Sequence, residues 1–229
     1  MDKIIFQKRN ALDYRSNEAY KTLRTNIEFC GDDNKVLVIT SCTPNEGKSS
    51  VSFNLAVSFS ENGKRVLLVD ADLRKSVLVG RYKVGEVKAG LTHYLSGQAK
   101  EEEVLHSTDI PNMDIIFAGT YSPNPAELLE HNRFRALITK LREEYDYVII
   151  DSPPLGSVID SAIVAKIADG AILVIESNAI SHKFAQTVKN QLERSGCKIL
   201  GAILNKVNID TEYYGRYYGK YYGTYGKEE

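Results

Sequence analysis

Residues 36–50 read VLVITSCTPNEGKSS: a short apolar run, a turn of small and polar residues, then Gly47-Lys48-Ser49-Ser50 opening a helical pattern over 48–61. A buried strand running through such a loop into a helix is what a phosphate-binding loop needs. Successive backbone N–H groups and the positive end of the helix surround the anion. In that reading Cys42, Thr43, Pro44, Asn45, Glu46 and Gly47 form the cradle, closed by Lys48, Ser49 and Ser50. Lys48 reaches the β- and γ-phosphates and the Ser49 hydroxyl ligates Mg²⁺. The full pattern asks for glycine at position 42, where this chain has Cys42. Asn45 partly offsets the departure, because asparagine tolerates the left-handed backbone of a tight loop.

Outward from this loop the text alternates strands and helices. Continuously apolar runs at 36–40, 66–70, 113–119, 147–151, 170–176 and 199–205 read as strands covered on both faces. Between them lie helical stretches at 48–61, 125–144, about 158–167 and 181–195. The expected fold is α/β: a mainly parallel sheet flanked by helices on both faces, with ligands at the carboxyl ends of the strands. The segment 75–110 is less regular, with a short helix around Leu91–Leu95. A leading helix runs from about Asn17 to position 29, capped by Ser16 or Asn17. Nothing resembling a linker divides residues 1–209, which form one expected domain; 210–229 form a tail.

Two more strands end in carboxylates. VLLVD (66–70) is followed by Ala71-Asp72, and YVIID (147–151) by Ser-Pro-Pro. A strand-ending aspartate by itself is often a turn former. Three beside a phosphate loop read as a site, with Asp70, Asp72 and Asp151 converging where Mg²⁺ and an attacking hydroxyl would lie. Phosphoryl transfer asks for a metal, positive charge on the phosphoryl group and a carboxylate to deprotonate the acceptor, a task open to Asp70 or Asp72.

Composition limits the alternatives. The chain has 229 residues, 43% apolar, with a formal net charge of −1. No basic excess exists to bind nucleic acid or a membrane surface by bulk charge. The three cysteines, Cys30, Cys42 and Cys197, lack metal-ligand spacing and suit free thiols in a reducing cytoplasm. No apolar run approaches a membrane span and the N-terminus is too charged for a signal peptide. The four histidines are isolated, which favours surface or core roles.

Seven of the fourteen tyrosines fall in the last seventeen residues, in Tyr-Tyr-Gly-X repeats: Tyr213, Tyr214, Tyr217, Tyr218, Tyr221, Tyr222 and Tyr225. A glycine every fourth position and no Leu, Ile, Val or Phe make this an unsuitable core segment. The reading is a loose tail of exposed phosphate acceptors. The plainer reading is a low-complexity end that binds by aromatic stacking.

Taken together, EGKSS (46–50), LLVDADLR (67–74), SPNPAELL (122–129), YVIIDSPP (147–154) and the tyrosine tail resemble a bacterial tyrosine kinase of the capsule and exopolysaccharide type. The likeness extends over nearly the whole chain and is nearest the cytoplasmic kinases of Gram-positive capsule operons. It implies a P-loop NTPase fold of the deviant, partition-ATPase-like superfamily, with ATP and Mg²⁺ as cofactors. It implies Asp151 in the Walker B role, and Asp70 and Asp72 as a second acidic motif for metal and acceptor activation. Asn205 would contact adenine, although an asparagine there also suits a turn. Glu18, Lys21 and Arg24 resemble a Glu-X-X-Arg-X-X-Arg helix that packs neighbours into a ring, with Lys21 replacing the first arginine and losing its planar fork. Three charges at that spacing also suit any exposed helix face.

The resemblance further implies autophosphorylation between subunits and control of capsular or extracellular polysaccharide synthesis. A membrane-anchored activator of the polysaccharide co-polymerase type would switch the kinase on through its cytoplasmic tail and recruit it to the inner face of the plasma membrane. A cognate tyrosine phosphatase would reverse it, and no nucleic-acid partner is expected. The rival is a nucleotide-switch ATPase of the partition or division-site type. Those proteins carry a lysine five residues before the loop lysine, where this chain has Thr43, and their membrane-docking members end in a basic amphipathic helix. A degenerate scaffold is the other alternative, supported by Cys42 and opposed by the intact Lys48, Ser49, Asp70, Asp72 and Asp151.

Overall fold

The computed structural model describes residues 3–9 and 11–208. The tail tyrosines therefore lie outside the described residues. Within them the chain forms strands β1 (Val36–Ser41), β2 (Val66–Asp70), β3 (Leu105–Ser107), β4 (Met113–Ile116), β5 (Tyr147–Asp151), β6 (Gly170–Glu176) and β7 (Ile199–Asn205). The helices are α1 (Tyr14–Glu28), α2 (Lys48–Glu61), α3 (Leu78–Arg81), α4 (Leu91–Leu95), α5 (Glu101–Val104), α6 (Pro125–Glu130), α7 (Asn132–Glu144), α8 (Asp160–Ala165) and α9 (His182–Glu193). The strands form one sheet in the order β3-β4-β2-β5-β1-β6-β7, all pairs parallel except β3–β4.

The period of two along each strand divides the core. Val36 and Val38, Leu67 and Val69, and Val148 and Ile150 join the apolar faces of α6 to α9 on one side. Leu37 and Ile39, Val66 and Leu68, and Ile149 meet α1 and α2 on the other, with Phe53, Leu55 and Phe59 of α2 fully enclosed. Being covered on both faces, β1, β2 and β5 carry no polar residue until their carboxyl ends, where Thr40, Ser41, Asp70 and Asp151 are buried. The strand order places β2, β5 and β1 side by side, so those polar ends sit together under the loop that enters α2.

Several expected boundaries move. The stretch 125–144 is two helices, because His131 is extended (φ −65°, ψ 144°). Its ring Nδ1 accepts from the Arg133 N–H at 3.1 Å, so this isolated histidine caps α7. The leading helix begins at Tyr14. Its cap is Asp13, which accepts from the Ser16 N–H at 2.7 Å, and neither Ser16 nor Asn17. The strand expected over 113–119 leaves the sheet after Ile116, and the Phe117 and Ala118 carbonyls accept from the first N–H groups of α4. The antiparallel edge strand β3 and the short α3 and α5 had no clear periodicity to announce them.

Candidate active site

The loop before α2 is shaped by two left-handed residues, Asn45 (φ 69°) and Gly47 (φ 92°), as its chemistry requires. Cys42 is not among them, so the missing glycine is not needed there for backbone freedom. The Cys42 side chain is fully buried, and burial followed by the Glu46 carboxylate pushes its thiol up to about 12. It is a neutral packing group. A Cβ on Gly47 would overlap Asn205 Nδ2, and one on Gly156 would overlap the Cys42 carbonyl. Both glycines permit close backbone approach, and Gly156 was not foreseen.

Within the loop, the Thr43 N–H donates to Glu46 Oε2 at 2.7 Å and is spent inside the loop. Pro44 has no N–H. The donors left for an anion are the N–H groups of Asn45, Glu46 and Gly47, which bond nothing else among the described residues, and those at the start of α2, which a helix leaves without internal partners. Glu46, 1% exposed, also accepts from the Glu176 N–H at 3.3 Å, tying the loop to the end of β6. Asn205 Nδ2 donates to the Glu46 carbonyl at 2.9 Å. The residue expected to contact adenine thus uses its amide nitrogen to hold the back of the loop.

Lys48 Nζ stands 3.0 Å from Asp72 Oδ2, 4.0 Å from Asp151 Oδ1 and 3.3 Å from Ser49 Oγ. Burial pulls the Lys48 ammonium toward the neutral form, but Asp151, Asp72 and Asp70 outweigh it and raise its pKa. Ser52 Oγ, one turn along α2, lies 3.1 Å from Asp151 Oδ1 and 2.9 Å from the Lys48 carbonyl. Asp151 is raised by burial, against the lowering influence of Lys48, Ser49 and Ser52. Asp70, opposite Asp151 in the β2–β5 register, is raised to about 7 by burial and then by the Asp151 charge. The Ser76 hydroxyl bonds Asp70 Oδ2, and Asp70 Oδ1 accepts from the Asp72 N–H at 3.2 Å. Arg74 forks onto Asp160 at 2.7 and 3.0 Å, and Asp160 is itself fully buried. These contacts fasten the loop 70–76 that carries Asp72.

The three carboxylates therefore share one ammonium, leaving an excess of buried negative charge beside the loop. That excess suits a divalent cation, and the Ser49 hydroxyl with Asp70 and Asp151 supplies the hard oxygen donors Mg²⁺ prefers. Among the described residues no three His, Cys, Asp or Glu side chains form a ready-made metal cage. A Mg²⁺ held largely by waters and phosphate oxygens does not need one. Ser50 is drawn elsewhere, its hydroxyl accepting from Arg81.

A family model described as an AAA domain matches residues 34–199. The tyrosine-protein kinase CpsD of Streptococcus agalactiae serotype III is 42% identical over 201 residues, which cover 88% of this chain and 87% of that protein. The chain belongs to the bacterial tyrosine-protein kinases of the capsule family. The kinase domain of Escherichia coli tyrosine kinase ETK matches it with a TM-score of 0.81 at 33% identity, over 88% of this chain and 83% of that one. The Pyrococcus horikoshii septum site-determining protein MinD, complexed with Mg-ADP, matches with a TM-score of 0.67 at 28% identity, over 77% and 72% of the two chains. The kinase thus has the deviant P-loop fold expected for it, and its activity is protein-tyrosine phosphorylation.

The kinase's expected site residues divide in two. Lys48, Ser49, Asp70, Asp72 and Asp151 come together. The group on α1 does not form a free triad. Lys21 pairs with Glu18 at 2.7 Å, while Arg24 Nη1 donates to the Ser58 carbonyl of α2 at 2.7 Å and is turned into its own domain. Ser52 and the Arg74–Asp160 pair were missed. Ser52 is four residues beyond Lys48 and shares its helix face, a signal that could have found it; the other pair spans 86 residues and left none.

Proposed function

We propose that this kinase binds ATP and Mg²⁺ and transfers the γ-phosphate to tyrosines 213–225 of a neighbouring copy, in the control of capsular or extracellular polysaccharide synthesis. The observation that carries the reading is the Lys48–Asp72 pair at 3.0 Å, which sets a cation for the transferred phosphoryl group beside a carboxylate for the acceptor. Lys48 and the N–H groups opening α2 would bind the phosphates. Ser49, Asp70 and Asp151 would hold Mg²⁺, whose chemistry when bound is to neutralise charge on the phosphate oxygens. Asp72, or Asp70 in its ionised form, would take the acceptor proton. The seven tail tyrosines, and the Mg-ADP held by MinD, support the acceptor and cofactor assignments respectively.

Among the described residues no helix is long and apolar enough to cross a membrane. A membrane-anchored activator acting through its cytoplasmic tail, recruitment to the inner face of the plasma membrane, a ring of subunits built on α1 and a cognate phosphatase complete the proposal. Phosphates added to the tails would repel one another and loosen that ring. Light scattering that gave one mass for phosphorylated and unphosphorylated protein would refute the last point.

The decisive experiment incubates the protein with ATP and Mg²⁺, with and without the activator tail, and maps phosphate by mass spectrometry. Phosphotyrosine between 213 and 225, lost in Lys48→Met and in a truncation after Ile209, supports the proposal. Mixing the Lys48→Met chain with the truncated active chain tests transfer between copies, since the former alone carries acceptors. Phosphotyrosine elsewhere, with an untouched tail, would sink the assignment.

A further inference from the structure

Two non-glycine residues with left-handed backbones, Asn45 (φ 69°) and Lys206 (φ 54°), are bonded to each other across the back of the loop. Lys206 Nζ donates to the Asn45 carbonyl at 2.7 Å and to Glu176 Oε2 at 2.9 Å. L-residues rarely adopt this conformation and keep it where their surroundings over-determine it, which happens most often at functional sites. The surroundings here are well tied. Asn205 holds the Glu46 carbonyl, Glu46 accepts from the Glu176 N–H, and the Ser177 N–H donates to the Asn205 carbonyl at 2.9 Å. The ends of β6 and β7 thus grip the loop from behind, at the Asn45 and Glu46 carbonyls and at the Glu46 carboxylate.

We propose that Lys206 is a positioning residue for nucleotide binding, fixing the Asn45 carbonyl and through it the course of the loop 43–47. This rests on the reading of that loop as the nucleotide site. Half-exposed, the Lys206–Glu176 ion pair contributes little by itself. The bond from a charged donor to a backbone carbonyl is the stronger one. It holds that carbonyl turned away from the phosphates, so the N–H groups that follow stay directed toward them. Without it the loop must be ordered by the nucleotide at the moment of binding, and the loss falls on affinity rather than on the chemical step.

The test uses the full chain and a fluorescent ADP analogue with Mg²⁺, alongside steady-state kinetics with ATP. Lys206→Met is expected to weaken binding and raise KM by about 5–10-fold with kcat within about twofold, and Lys206→Arg, which can donate to both partners, to restore wild-type affinity. Lys206→Gln keeps a neutral donor and serves if the methionine variant is poorly folded; a loss of about 2–4-fold is expected. Wild-type affinity in both the methionine and glutamine variants, or a fall in kcat at unchanged KM, overturns the role of Lys206. A wild-type chain that fails to bind the analogue overturns the nucleotide-site reading as well.

Discussion

Asp70 and Asp151 stand directly opposite each other at the carboxyl ends of neighbouring parallel strands β2 and β5, both buried. Two carboxylates in that position repel, and water is not there to screen them. Asp70 therefore holds its proton up to about 7, burial being the larger cause and Asp151 the next.

The pH dependence follows from that pair. The folded chain holds the Asp70 proton more tightly than the unfolded chain, so the stability linked to this group is fully present below about pH 4 and is lost as pH rises through about 7. Metal-free protein is expected to lose thermal stability between about pH 4 and pH 7 and to level off above that. Asp70→Asn should flatten that slope, raise the unfolding midpoint at pH 8 by a few degrees and abolish phosphotransfer. Thermal unfolding across pH checks it, and an unchanged slope in the variant would show that another group is responsible.

Lys48→Met removes the ammonium shared by Asp72 and Asp151. Tyrosine phosphorylation should fall by about 10²-fold or more, the scale seen when a donor to transition-state charge is deleted. Quantifying phosphotyrosine by mass spectrometry measures it. Activity within tenfold of wild type would remove Lys48 from the phosphate site.

Asp72→Asn keeps the shape of the carboxylate but not its basicity. Binding of Mg-ADP is expected to stay within about threefold, while kcat falls by about 10²-fold or more, as for loss of a general base. A parallel loss of affinity and rate would point to metal binding as the task of Asp72.

Arg24 and Lys21 should separate by what they touch. Arg24→Ala loses the charged bond to the Ser58 carbonyl that joins α1 to α2 and should cost about 1–3 kcal/mol. Lys21→Ala, paired with Glu18 on an exposed turn, should leave stability nearly unchanged. Chemical denaturation of both variants decides this. Equal stabilities would mean that the Ser58 contact contributes nothing in solution.

Gly156→Ala would drive a Cβ into the Cys42 carbonyl, a backbone atom that cannot swing aside. The loop must shift, and nucleotide affinity is expected to drop by about tenfold while the fold persists. An isothermal titration with Mg-ADP at wild-type affinity would refute it.

Much of the site was legible because its residues are placed by local sequence. A strand, a loop and a helix in succession deliver Lys48 and Ser49 to the carboxyl edge of a parallel sheet, and a strand that ends in aspartate delivers its carboxylate to the same edge. Five of the strands were legible for a related reason: burial on both faces demands unbroken apolar runs. The run 199–205 is a strand too, but β7 lies at the sheet edge and is partly exposed, Leu204 by 48%, so the expected cover on both faces is absent there. The errors fell where that logic lapses. His131 interrupts a helical pattern without a proline or glycine to mark it, and β3 is too short and too exposed to show a period.

The sequence by itself determined the fold class, the phosphate loop and the three carboxylates at or just beyond strand ends, because each is written in contiguous residues whose spacing obeys backbone geometry; the kinase family was legible as a resemblance of several such motifs. Tertiary structure alone decided which of those groups touch. It set Lys48 between Asp72 and Asp151, turned Arg24 inward to Ser58, put Asn205 and Lys206 behind the loop and joined Arg74 to Asp160. These partners lie 24 to 161 residues apart along the chain. Charge and hydrogen bonding act over a few ångströms of space, and no local pattern records which distant residues the order of strands will bring within that range.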